Sequence, residues 1–510
     1  MSLTHESATG RVTGDRSTGL LDRANRVLSS RPAFVVVLVA FLLVGFLFAV
    51  TIHVPASAAP DERRHIGNIM LYAARPWNAG PFLQDVDASK LWLGEVTRFP
   101  AYLYYYLMSF PAKGTQALGL HLEQTVMVLR SIDVLAAGAG LYALRAMFRN
   151  AGVPTAIGLL ATVVTASTGR YAWQAATISY DAPSMAAFFL FAAVAVKVAR
   201  GGGLRTLAWL VVTAMLALMF KYSQAPLVLA GAFFAVLFRY RVDGFSWLRH
   251  PVRRAVSGFR ERPWRSVVLV VIGGALLALV LERFGVNLLV YRALNPDCAE
   301  IHSRDACMNF GIFRRNYNAV RTHDLEVAAG TLEPFRPVSF LWMWITTYFR
   351  SLFFFWGPSL PWRPNTAVVL FGAVASVGAV AIAVTQMRRV LRNAAMWWLA
   401  AVPVAYTVAV LCFNAATAVN LRQDFAFSGR YLLPVLPMIA AVVLLGLASW
   451  IRRLHGRAAT VAWVVVIVVG VVLFVFYNPI SAFFPYANSA AWYSSWARDV
   501  LPQWLTGVRS

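Results

Sequence analysis

What most constrains this chain is its series of apolar runs of about twenty residues, separated by short segments rich in arginine. A backbone crossing hydrocarbon finds no water to satisfy its N–H and C=O groups, so runs of this kind must close their hydrogen bonds within a helix. They lie at 33–54, 126–147, 154–167, 179–198, 204–220, 224–238, 266–281, 366–386, 395–413, 431–450 and 459–475. The expected fold class is therefore an all-α polytopic membrane protein with about eleven transmembrane helices.

The charge supports this reading and sets an orientation. The chain carries a formal charge of +24, almost all from arginine, since its lysines are Lys90, Lys113, Lys197 and Lys221. The arginines gather in alternate loops, at Arg145 and Arg149, at Arg200, through 239–265, at Arg388 to Arg392 and at Arg452 to Arg457. Such loops remain cytoplasmic and face anionic membrane lipids, so the positive excess does not argue for nucleic acid. Residues 1–32 become a cytoplasmic tail, disordered at its start, and 33–477 the transmembrane domain. Residues 478–510 become an external tail anchored at the interface by Trp492, Trp496 and Trp504. The small-residue stretch 54–59 resembles a signal-peptidase site, but the run before it is too long for a signal segment, and an uncleaved first span is expected.

Two long external segments, 55–125 and 282–364, hold much of the outer polar sequence, and external loops are where function concentrates. Their aromatic stretches, around Phe99 to Tyr106 and Phe340 to Trp356, are expected to lie along the interface rather than cross it. Cys298 and Cys307 flank a polar loop and either pair in an oxidising compartment or remain unrelated thiols. Cys412 falls in an apolar run and is expected to be inert core.

The first external segment opens with Pro60-Asp61-Glu62-Arg63-Arg64-His65. Acids and a histidine beside a span are costly and serve as functional candidates. Asp61 and His65 are four apart, on one face of a helix whose apolar side holds Ile66, Ile69, Met70 and Ala73. Either they face a cavity, or Asp61 caps the helix while Glu62 favours its N-terminus. Further residues fall at the same level: Arg130, the group Arg170, Tyr171 and Trp173, then Asp181, Lys221, Tyr222, Arg430 and Tyr431. Carboxylates suit proton abstraction or metal binding, and cations suit a phosphate. Each also has a plain structural role open to it: Asp181 as a helix cap, Arg430 and Lys221 as headgroup anchors, Arg130 as a partner for Asp133. Asp61, His65 and Asp181 form the set that would hold a divalent cation, although a metal-free site fits equally. No nucleotide loop, zinc-protease motif or dinucleotide turn occurs in the chain.

The motif Pro60-Asp61-Glu62-x-x-His65, taken with Gly429-Arg430-Tyr431-Leu432-Leu433-Pro434 and a second acid after the third span, resembles the GT-C superfamily of multi-span glycosyltransferases. The likeness is nearer still to a bacterial membrane family of unknown function allied to them. It implies a transferase that takes a sugar from a polyprenyl-phosphate donor to an envelope glycan or lipid acceptor on the outer face of the bacterial inner membrane. By the same resemblance Asp61 is the catalytic base, Glu62 shares or assumes that role, and Asp181 positions acceptor or metal. His65, Arg98, Arg130, Lys221, Arg430 and Tyr431 then surround the donor, with Arg98 standing where relatives carry lysine before an aromatic stretch. The rival expectations are a flippase for a lipid-linked glycan and a glycan polymerase or ligase. A flippase would also need acids and cations in a cavity, but no inverted repeat is visible.

Overall fold

The computed structural model describes residues 23–53, 61–83, 86–244, 263–353, 366–421 and 427–480, with Ser494 and Val500. The cleavage-like stretch 54–59, the loop 245–262 and Trp492, Trp496 and Trp504 lie outside the described residues, as does Pro60.

Among the described residues the chain is helical without β-strands. Helix α1 (Arg31–Thr51) starts where Ser30 accepts the Ala33 N–H at 3.2 Å and proline fills the first turn. Helices α2 (Glu62–Ala73) and α3 (Leu103–Ala117) occupy the segment 55–125, expected to be external. Helix α4 (Leu122–Ala151) is the longest, opened by a reciprocal cap between His121 and Gln124. Then follow α5 (Thr155–Ala166), the short buried α6 (Gly169–Ala175), α7 (Asp181–Ala199), α8 (Leu204–Phe220) and α9 (Ala225–Asp243).

Helix α10 (Pro263–Val280) passes through a π-turn at Leu281–Gly285 into α11 (Val286–Tyr291). The expected end of that span at residue 281 is therefore too early: ten further residues stay helical before the external segment begins. Helix α12 (Gly311–Ala329) and α13 (Pro337–Phe353) fold that segment. The chain closes with α14 (Thr366–Thr385), α15 (Ala394–Leu421), α16 (Leu436–Ile451) and α17 (Arg457–Tyr477).

Among the described residues eight helices are long and apolar enough to cross a membrane, and three shorter apolar ones, α5, α8 and α16, stand at the remaining expected positions. The aromatic helices α3 and α13 belong to neither group. Helix α7 is the most enclosed of the eight and α17 the most peripheral. The main core gathers around α4 and α7 with the facing sides of α1, α9, α15 and α16. A second apolar cluster joins α2 and α3 to the start of α4 and to α8 and α10, fastening these two helices to the long apolar ones. Cys412 is exposed on the apolar surface of α15, a correction to its expected place in the core, because its face of the helix turns away from the packed interior.

Candidate functional site

Asp181 begins α7 and is almost fully buried. Its Oδ1 accepts a 2.5 Å bond from Lys221 Nζ, its Oδ2 accepts from Gln174 Nε2 at 2.9 Å, and Arg430 Nη1 stands 4.0 Å from Oδ2. Each cation arrives through a break in helical structure. Lys221 is extended (φ −154°, ψ 99°) between α8 and a short turn, with Pro226 restarting the helix. Its ammonium lies over the rings of Tyr180 and Tyr431, at 5.5 and 5.3 Å.

Arg430 sits in a single turn, Gly429–Tyr431, rather than in a span beginning at residue 431, and the helix starts only at Leu436. That turn is pinned from two sides. Ser351 Oγ accepts the Gly429 N–H at 2.6 Å, and Ser428 Oγ accepts from Arg170 Nη2 at 3.4 Å. A side chain at 429 would overlap the Leu352 backbone, so only glycine lets the turn lie against α13. Arg430 packs on Tyr431 with its guanidinium 5.2 Å from the ring and donates to the hydroxyl at 3.4 Å. Burial raises the Tyr431 pKa, but the charges of Arg430 and Lys221 outweigh it and hold the phenol below its ordinary value.

The second acid comes from the start of α2. Asp61 has left-handed backbone (φ 74°, ψ 0°), its side chain makes no capping bond, and it is 30% exposed with Arg64 Nη2 3.8 Å away. His65 lies one turn on and is buried. Its Nδ1 shares a 2.7 Å hydrogen bond with the Tyr105 hydroxyl, and its ring meets Tyr180 edge-on at 4.8 Å. Burial depresses its pKa to about 3, Arg64 adds to the effect, and the carboxylates of Asp61 and Asp181 oppose it. The charges of Asp61, Arg64, Asp181 and Arg430 all act on this imidazole.

The structure thus brings Asp61, His65, Asp181, Lys221, Arg430 and Tyr431 to one place, and sets Glu62, Arg130 and Arg98 to other work. Glu62 points inward from α2 into a fork with Arg130, Nε and Nη2 each 2.8 Å from its carboxylate oxygens, both side chains buried. The other Arg130 hydrogens cap the backbone carbonyls of Ala49, Ile52 and His53 at the end of α1. With every donor used, Arg130 has nothing left for a phosphate, and Glu62 is closed to solvent as a base. Arg130 also does not pair with Asp133, which instead accepts from the Tyr104 hydroxyl at 2.6 Å. Arg98 ties the loop before α3 to the π-turn through Glu282 and Asn287, at 2.9 and 2.8 Å.

Asp61, His65 and Asp181 do not converge as ligands, because His65 Nδ1 faces Tyr105 and Asp181 faces its cations. No cluster of three metal-ligating side chains occurs among the described residues. Cys298 and Cys307 form a disulfide beside Phe313, and Phe310 of the same loop lies 5.6 Å beneath the Arg64 guanidinium. Arg64 and Gln174 are the site residues that sequence reasoning did not single out. The i, i+3 spacing from Asp61 could have drawn attention to Arg64, whereas Gln174 carries no local signal.

Fold and site together define a multi-pass, all-helical membrane protein with a charged site at one end of its spans. Comparison with known proteins returned no matching family model, no matching curated protein and no matching solved structure.

Proposed function

We propose that this chain is an integral-membrane glycosyltransferase of the GT-C type, with about eleven spans, a cytoplasmic N-terminus and its site on the outer face of a bacterial inner membrane. It moves a sugar from a polyprenyl-phosphate donor to an envelope glycan or lipid acceptor. One observation carries this reading: an accessible carboxylate, Asp61, lies 3.8 Å from Arg64, and Asp181 gathers Lys221, Arg430 and Arg170, so that four cations outnumber the local acids. With Asp61 and Asp181 counted against them, the set has an excess of two positive charges, since four cations face two carboxylates. That excess suits an anionic headgroup.

Asp61 takes the acceptor hydroxyl proton while the acceptor oxygen bonds to the sugar's anomeric carbon. The bond from that carbon to the phosphate breaks, and the polyprenyl phosphate leaves with the electron pair. Asp181 is bound to Lys221 and Gln174, which makes it a positioning residue that holds Lys221 and Arg430 in place for the departing phosphate. Tyr180, Tyr222 and Tyr431 give the sugar aromatic surface. Expulsion of water by the bound headgroup strengthens each of these interactions.

The test uses purified protein in lipid with a panel of polyprenyl-phosphate sugars and envelope acceptors, following free polyprenyl phosphate by mass spectrometry. Wild type releases it. Asp61→Asn does not release it but retains the donor, and Arg430→Ala binds donor more weakly. Full turnover by Asp61→Asn removes Asp61 as the base. Movement of intact donor across vesicles with no release replaces the enzyme with a flippase.

A further inference from the structure

At the end of the spans opposite Asp181, a cavity of about 500 Å³ opens where α7, α8 and α10 meet. It is lined by Lys197, Arg205, Thr206, Trp209 and Trp264, with Val194 and Val268. The sequence builds it with a three-glycine turn. Gly201 has φ +113°, which favours glycine, and Gly202 donates back to the Lys197 carbonyl at 2.9 Å. The Thr206 N–H then bonds the Gly203 carbonyl at 2.8 Å and starts α8. So tight a reversal sets Lys197, at the end of α7, and Arg205, at the start of α8, on one rim.

The chemistry of the crevice is one-sided. Among the described residues no carboxylate lines it, and neither Lys197 nor Arg205 makes an ion pair or side-chain hydrogen bond there. Its outer wall is α10, whose Trp264, Val267 and Val271 are about 60% exposed and continue the cavity into a lane of apolar surface. Tryptophan beside two cations, at the end of helices that cross a membrane, is the composition of the headgroup level. An inorganic anion would use the cations and leave the lane empty. A lipid uses both.

We propose that this crevice binds the phosphodiester headgroup of an anionic phospholipid. The phosphate lies between Lys197 and the forked guanidinium of Arg205, the Thr206 hydroxyl donates to a third oxygen, and an acyl chain runs along Val268, Val267 and Val271. The site is separate from the one around Asp181 and does not depend on the reaction proposed there.

The experiment uses the full chain in micelles, titrated separately with phosphatidylglycerol, phosphatidylcholine and inorganic phosphate. Bound lipid is counted by native mass spectrometry, and the thermal midpoint is recorded alongside. Wild type retains phosphatidylglycerol and gains midpoint from it, and phosphatidylcholine does neither. Lys197→Gln with Arg205→Gln weakens phosphatidylglycerol binding about twenty-five-fold, at a factor of about five for each cation, with an unchanged midpoint in phosphatidylcholine. Should the double variant unfold, Arg205→Gln alone carries the test with a loss of about five-fold. Equal retention of the two lipids, or undiminished binding by the variant, overturns the proposal. Displacement of the lipid by millimolar phosphate also overturns it and leaves a site for soluble anions.

Discussion

The Glu62–Arg130 pair offers the sharpest test of how the site is held. Two bonds of 2.8 Å join the side chains, Glu62 also accepts the Ile178 N–H at 2.9 Å, and both are shut off from solvent. The pair therefore links α2, which carries Asp61 and His65, to α4, to the end of α1 and to the loop leading into Asp181. Removing one partner strands the other as a buried charge, which costs about 3–5 kcal/mol. Arg130→Met and Glu62→Gln are each expected to lose stability in that range. The double variant has no stranded charge, but the carbonyls of Ala49, Ile52 and His53 still lose their donor. Each carbonyl left buried without a donor costs about 1–3 kcal/mol, a loss the Arg130→Met single shares, so the double should fall well short of the sum of the singles. Unfolding of the four proteins in mixed micelles, followed by tryptophan fluorescence, measures the coupling. Additive effects below about 1 kcal/mol per single would refute the structural role. Full stability of Glu62→Gln with complete loss of sugar transfer would return Glu62 to the catalytic set.

Two further outcomes follow from the same corner of the molecule. Left-handed backbone at Asp61 costs an ordinary residue about 1–2 kcal/mol and glycine almost nothing. Asp61→Gly should therefore stay within about 1 kcal/mol of wild type, because relief of strain offsets the freer unfolded chain, while Asp61→Ala destabilises by about 1 kcal/mol; thermal midpoints of the two decide it, and a more stable alanine variant would deny the strain. His65 has a folded pKa of about 3 against an ordinary 6.5, so the unfolded chain binds its proton first as pH falls. Its contribution to stability is complete above pH 6.5 and declines as pH falls from 6.5 toward 3, at up to about 1.4 kcal/mol per unit. Unfolding curves of wild type and His65→Gln across that window should converge at the acid end, and parallel curves would show that the imidazole does not titrate as a buried neutral group.

Much of this was legible because hydrocarbon leaves a chain few options. The apolar runs located the long apolar helices, and the aromatic stretches at Phe99 and Phe340 fold as α3 and α13, which Pro111 and Arg350 interrupt and which are not among the helices long and apolar enough to cross a membrane. Asp181, Lys221 and Arg430 were readable because a charge at the end of an apolar run has few places to go. What stayed hidden was which charge meets which. Spacing placed Asp61 and His65 on one face, yet the left-handed residue at 61 turns that carboxylate toward solvent while the next residue, Glu62, points into the protein. The pairing of Glu62 with Arg130 is fixed by three carbonyls at the end of α1, groups that every sequence has and none advertises. The π-turn in α10 was hidden for a similar reason, since Arg283 gives up water for the Thr97 carbonyl and the rings of Phe82 and Tyr102, partners almost two hundred residues earlier. Local pattern shows where charge must be managed. The partner that manages it is set by tertiary packing, and in this chain that division separates the exposed acid at 61 from the adjacent buried acid that holds its helix in place.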